Sequence, residues 1–213
     1  MNPSPKKYLL YVTAAVLSAT ISLPVMADEK KEKAGGQPSE AEMAMMMELA
    51  KPGENHKILQ EGVGSWNYVV KWWMSPDAPP NESKGTSVAR AVMDGRYVVT
   101  DHTSKMQMPG PDGKMMDMDF KGMAVEGYDN AKKKFVSSWI DNMGTGIMHM
   151  EGTYDPATRT LTYTGEFEMM PGAKMKVRQT IKVTDQDHRL YEFYEQRMGK
   201  EVKTMEITYA RKS

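Results

Sequence analysis

From Gly64 to the C-terminus, apolar and polar side chains alternate with period two in segments broken by turn residues. The segments predicted as strands are 65–75, 83–93, 96–106, 118–128, 134–142, 145–154, 159–168, 174–184, 188–197 and 201–211. Between them lie Asp94-Gly95, Pro109 to Gly113, Asp129-Asn130, Gly144, Asp155-Pro156, Pro171-Gly172, Asp185 to Asp187 and Gly199, residue types that bend a chain by known mechanisms. No connection is long enough for a crossover helix, so neighbours must pair antiparallel. The expected fold is all-β: an antiparallel up-and-down β-barrel of about ten strands, which removes its own edges by closing. Alternation puts Trp66, Tyr68, Val70, Trp72 and Met74 on one face of the first strand, and Met205, Ile207, Tyr209 and Arg211 on one face of the last. The interior so predicted is aromatic and Met-lined.

The pattern before Gly64 is different. Lys6-Lys7, an apolar run from Tyr8 to Leu23 and the small-residue exit Val25-Met26-Ala27 have the layout of a secretory signal peptide, 1–27, with cleavage expected after Ala27. The run is about sixteen residues and is interrupted by hydroxyl side chains, short for a span needing about twenty apolar residues. The localisation expected is therefore periplasmic or secreted, with no stable membrane insertion after cleavage. Residues 28–38 (DEKKEKAGGQP) are charged and almost without apolar side chains, a composition that predicts a disordered leader. Ser39-Glu40-Ala41-Glu42 has capping-box spacing and opens a Met- and Ala-rich run that ends at Pro52-Gly53, predicting a short N-terminal helix. A second helical turn is expected from His56 to Leu59. The domain plan is thus a helical lead-in over 39–62 and a β-barrel domain over 63–213.

Gly64-Ser65-Trp66 at the start of the first strand, with Thr208-Tyr209-Ala210-Arg211 at the end of the last, resembles the signature of the calycin superfamily, to which the lipocalins belong. In that superfamily a late arginine packs across the tryptophan. The resemblance implies a barrel-closure pair, Trp66 and Arg211. Gly95-Arg96-Tyr97, Gly127-Tyr128-Asp129-Asn130, Trp139-Ile140-Asp141, Gly152-Thr153-Tyr154-Asp155 and Met205-Glu206-Ile207-Thr208-Tyr209 are similar, in order, to the bacterial domain-of-unknown-function 1579 family, over about Pro52 to Lys212. This resemblance implies a fold, a calycin-like barrel, and no catalytic residue.

Composition narrows the function classes. Lys and Arg number 28 and Asp and Glu 28, so no basic excess favours nucleic acid, and none is expected as a partner. Cysteine is absent, so the core must hold without disulfides. His56, His102, His149 and His188 are isolated, without zinc-site spacing, and no nucleophile elbow, P-loop or dinucleotide fingerprint is present. Catalytic residues and cofactors are accordingly left unassigned.

Two functional readings remain. In the first, a small apolar or amphipathic ligand is enclosed by the barrel, with Trp66, Trp72, Trp139, Asp141, Met205 and Tyr209 as ligand-binding candidates. In the second, the protein is a Met-rich metal-binding or envelope stress protein, whose 22 methionines supply soft thioether ligands for copper in the cell envelope, with Met43, Met46, Met47, Met148 and Met150 as candidates. Methionine also fills irregular cores, and on a regular strand Met148 and Met150 face away from His149, so these three cannot chelate one ion. Arg178, Glu192 and Glu206 on late strands are expected either to mark a polar pocket contact or to face solvent or tie strands together.

Overall fold

The computed structural model describes residues 37–213, leaving out Pro76 and Pro111. The expected signal peptide, its cleavage after Ala27 and most of the 28–38 leader lie outside the described residues.

Two short helices lead in, α1 (Glu40–Leu49) and α2 (Glu54–Gln60). Helix α1 starts on the expected capping box. The Ser39 hydroxyl accepts from the Glu42 backbone N–H at 3.3 Å, and the Glu42 carboxylate accepts from the Ser39 N–H at 2.8 Å. No residue of α1 is buried, so it is held at its end instead. Asn130 Nδ2 donates to the carbonyls of Leu49 and Lys51, and Arg96 Nε donates to that of Ala50. These bonds satisfy the orphan carbonyls of the last helical turn. Helix α2 buries His56 and Leu59, and Leu59 joins the barrel core, a burial that contributes about 2 kcal/mol.

Ten strands follow: β1 (Gly64–Trp72), β2 (Asn81–Val92), β3 (Tyr97–Pro109), β4 (Met115–Asp129), β5 (Lys134–Asp141), β6 (Met148–Asp155), β7 (Thr160–Met170), β8 (Ala173–Val183), β9 (His188–Arg197) and β10 (Lys200–Arg211). Each pairs antiparallel with its neighbours in sequence, and β1 pairs with β10 to close the barrel. All ten predicted strands are present in order. Their ends differ where cross-strand pairing outlasts the turn signal: β3 and β4 continue through Met106↔Met118 and Met108↔Met116 to Pro109↔Met115. Strand β1 stops at Trp72, before a connection containing Pro79-Pro80, residues without a donor for the ladder. Met74, expected on the inner face of the first strand, therefore lies beyond it and is exposed.

In an up-and-down barrel alternate connections fall at the same end. The end bearing the β2–β3, β4–β5, β6–β7 and β8–β9 connections also receives α2 and is closed. The β1–β2, β3–β4, β5–β6, β7–β8 and β9–β10 connections surround the mouth. The buried core is formed by Leu59, Ala89, Val98, Phe135, Met150, Leu161, Tyr163, Val177 and Phe193, with Tyr163 wholly inaccessible.

Candidate functional site in the barrel lumen

The closed end is built on Trp66, which is 3 % exposed. Its indole N–H donates to the Gly62 carbonyl at 2.9 Å. The Arg211 guanidinium carbon lies 4.2 Å from the Trp66 ring centroid, and that of Arg189 4.9 Å. Arg211 donates to the carbonyls of Val63 and Glu61 and pairs with Asp187, while Arg189 donates to Glu61 at 2.5 Å. Two cations thus meet the carbonyl-rich end of α2, where positive charge is favoured. Gly64 makes room for this: its φ is +132°, and a Cβ there would stand 2.6 Å from Arg211 Nη1. The Gly64, Trp66 and Arg211 positions of the sequence signature are one packing unit. Trp66 belongs to this floor.

Above it, the inner face is aromatic. Tyr209 on β10 approaches Tyr68 on β1 at 5.6 Å between ring centroids, Tyr68 approaches His102 on β3 at 5.7 Å, and His102 approaches Trp139 on β5 at 5.3 Å. Phe120 on β4 then stacks on Trp139 at 6.3 Å. Several of the large rings lie against the wall. A Cβ at Gly85 would meet the Tyr68 ring at 2.3 Å, and one at Gly122 the Trp139 ring at 2.4 Å, so glycines of adjacent strands form shelves for the aromatic side chains. His102, Tyr191, Ile207, Tyr209, Met205 and Trp72, all inward-facing by register, remain half-buried.

The polar groups here are withdrawn from bulk water. Burial pulls the His102 imidazole down to about 4, against a smaller upward pull from Asp101, so the ring is neutral near pH 7. Burial pushes the Tyr209 hydroxyl well up, as it does those of Tyr163 and Tyr191. Glu126 is raised by burial, offset in part by Tyr163 and Arg189. The Tyr163 hydroxyl faces Glu126 without reaching ideal hydrogen-bond geometry, and Tyr191 donates to Gln179 at 3.0 Å. Among the described residues, neither the ring nitrogens of His102 nor the Tyr209 hydroxyl have a hydrogen-bond partner.

The sequence-predicted residues separate into groups. Trp139, Asp141, Trp72, Met205 and Tyr209 all face the lumen: Trp72 pairs with Met205 across the β1–β10 seam, and Trp139 Nε1 donates to Asp141 Oδ2 at 2.7 Å. The metal candidates do not converge. Met43, Met46 and Met47 are exposed on α1, whereas Met150 is buried in the core with Met148 packed beside it. His149 points outward to the Ser138 hydroxyl. Among the described residues no three His, Asp or Glu side chains converge as a metal site. Arg178, Glu192 and Glu206 tie strands on the outer face: Arg178 forms a two-pronged pair with Glu201, and Lys203 bridges Glu192 and Glu206. A groove of about 690 Å³ on that outer face is lined by Arg178, Tyr194 and Glu201, with Arg178 paired to Glu201 and its guanidinium over the Tyr194 ring.

The sequence reading treated His102 as isolated, and passed over Glu126 and Arg189. A signal existed for His102: it shares the inward alternation of Val98, Thr100 and Ser104. Histidine frequency and spacing carry none of that information.

Residues 51–211 match the protein family described as "Protein of unknown function (DUF1579)". The chain belongs to this family. The DUF1579 match runs from the end of α1 to Arg211 and includes both the Trp66 floor and the aromatic wall. No curated protein matches the sequence. Among solved structures, the DUF1579 barrel is similar to that titled "Crystal Structure of Rv2717c from M. tuberculosis", at 14 % identity and TM-score 0.54, covering 76 % of this chain and 100 % of that one. At that identity the likeness is one of fold.

Proposed function

We propose that this DUF1579 barrel binds a small amphipathic ligand in its lumen. The apolar body would lie along Trp72, Trp139 and Met205, and the polar head would reach His102 and Tyr209. The observation that carries this reading is the pair of unpartnered polar groups, the neutral His102 imidazole and the Tyr209 hydroxyl, inside an aromatic wall. Neither group is sealed in the core, so a ligand head group can reach both, and each hydrogen bond so made contributes about 0.5–1.5 kcal/mol. Asp141 fits as the orienting partner of Trp139. The protein acts, in this reading, in the cell envelope after export.

The test is titration of the exported form with laurate and with dodecane, followed by tryptophan fluorescence, beside native mass spectrometry of protein purified from its own cells. His102→Leu and Tyr209→Phe should each weaken laurate binding about tenfold or more, and affect dodecane little. Failure of laurate and related amphiphiles to bind, or unchanged affinity in both variants, removes the proposal.

A second reading keeps the helix thioethers as a soft-metal site. Met43, Met46 and Met47 fall at i, i+3 and i+4 on α1 and are exposed. Unchanged mass and affinity under Cu(I) titration would end it.

A further inference from the structure

Exposed methionines are arranged around the mouth. Met74 lies in the β1–β2 connection, Met115 and Met116 leave the β3–β4 tip, Met143 and Ile147 lie in the β5–β6 connection, Met170 flanks the β7–β8 turn, and Met198 forms the β9–β10 turn. Every mouth hairpin thus presents a methionine to solvent. At the closed end only Met93 does so among the four connections, the rest being Asn, Lys, Pro, Ala, Thr, Arg, Asp, Gln and Gly. Met198 bears most directly on the question. It is fully exposed at φ 49°, followed by Gly199 at φ 77°, a two-residue turn whose first position favours Asn, Asp or Gly. A residue that fits its turn poorly and packs on nothing has its reason outside the molecule.

We propose that the mouth rim docks on a phospholipid bilayer surface, with the methionine tips inserted at the headgroup boundary and the lumen opening onto the lipid. Three observations favour lipid. The tips stand on separate hairpins at one end of the barrel, so each can insert independently into a fluid layer. Trp73 follows the last residue of β1 at this mouth, with Lys203 Nζ 5.6 Å from its ring, an apolar body with a cationic edge suited to the lipid–water boundary. The tips are also electrically balanced: Lys114 pairs with Asp112, and no run of basic residues surrounds the opening. Docking is therefore apolar in origin, and neutral lipid suffices.

The inference rests on the lumen reading for what passes through the mouth, not for the docking itself. The test is cosedimentation of the full exported chain with phosphatidylcholine vesicles at 50 and 500 mM KCl, in parallel with laurate titration. Binding should be present and nearly independent of salt. The quadruple variant Met74→Ser, Met143→Ser, Met170→Ser, Met198→Ser should lose about tenfold or more of its partition coefficient while keeping its circular dichroism and laurate affinity. Serine at Met43, Met45, Met46 and Met47 on α1, at the opposite end, should change nothing. Absence of vesicle binding, equal binding by the rim variant, loss confined to the α1 variant, binding only at low salt, or rim-dependent capture of a protein without lipid affinity each overturns the proposal. In the wild-type protein, absence of vesicle binding with laurate binding present removes the docking alone; vesicle binding without laurate binding removes the lumen reading alone.

Discussion

The Arg211 guanidinium stands 4.2 Å from the Trp66 ring centroid, across the seam where first and last strands pair in register. A desolvated contact of this kind contributes about 2 kcal/mol. Arg211→Lys should destabilise measurably, because an ammonium cannot lie flat on the indole and also fork to the Val63 and Glu61 carbonyls. Trp66→Ala should cost about 3–5 kcal/mol through the cavity it leaves. In urea denaturation the double variant should cost less than the sum of the singles. Simple additivity would contradict an energetic coupling between the two side chains.

Acid should expose the burial of His102. Its folded-state value, about 4, lies below the usual histidine value of about 6.5, so between those values the unfolded chain binds a proton that the folded chain does not. Stability contributed by the neutral ring is present above about pH 6.5 and is lost as pH falls towards 4, on the order of 3 kcal/mol. The unfolding free energy of wild type relative to that of His102→Leu, measured from pH 7.5 to 4.5, should fall accordingly. A constant difference would place His102 in solvent.

Glu126 has the opposite sign. Burial raises its carboxyl, so the folded state holds the proton more tightly, and the associated stability is lost as pH rises above the ordinary carboxylate range. Glu126→Gln, neutral at every pH, should gain on wild type in denaturant midpoint between pH 5 and pH 8. A pH-independent gap would mean that Arg189 and Tyr163 fully compensate the burial.

Gly122 is the shelf under Trp139, and Gly122→Ala places a methyl group 2.4 Å from the indole. The ring must move into the lumen, at a cost of about 1–3 kcal/mol. Thermal melting should fall by several degrees, and the Trp139 contribution to fluorescence should shift. Wild-type behaviour would show that the ring has room elsewhere.

Export and cleavage after Ala27 predict a mature N-terminus at Asp28. Intact mass of the protein recovered from the envelope fraction checks this; a chain still beginning at Met1 would make the segment an anchor.

The number, order and direction of the strands were legible in the sequence because they depend on neighbours along the chain. Period-two alternation, turn residues such as Asp94-Gly95 and Gly199, and the Ser39–Glu42 box act within a few residues, and short connections leave only antiparallel neighbours. Closure followed from counting edges. The identity of the site was not legible in the same way. His102 meets Tyr68, Trp139 and Tyr209 because β1, β3, β5 and β10 present those positions at one level of the lumen, and that level is fixed by the summed register of the ladders, including the bulge between Lys203 and Met205. A slip of one residue in any ladder would turn the whole inner set outward. Arg189 joins Arg211 on Trp66 for the same reason. The sequence by itself determined which residues alternate and where the chain turns, because those are local choices of backbone and side chain. Only the tertiary structure decided which inward side chains share a height, since that depends on hydrogen-bond pairings between strands far apart in sequence, such as the first and last, which set Trp66 opposite Arg211.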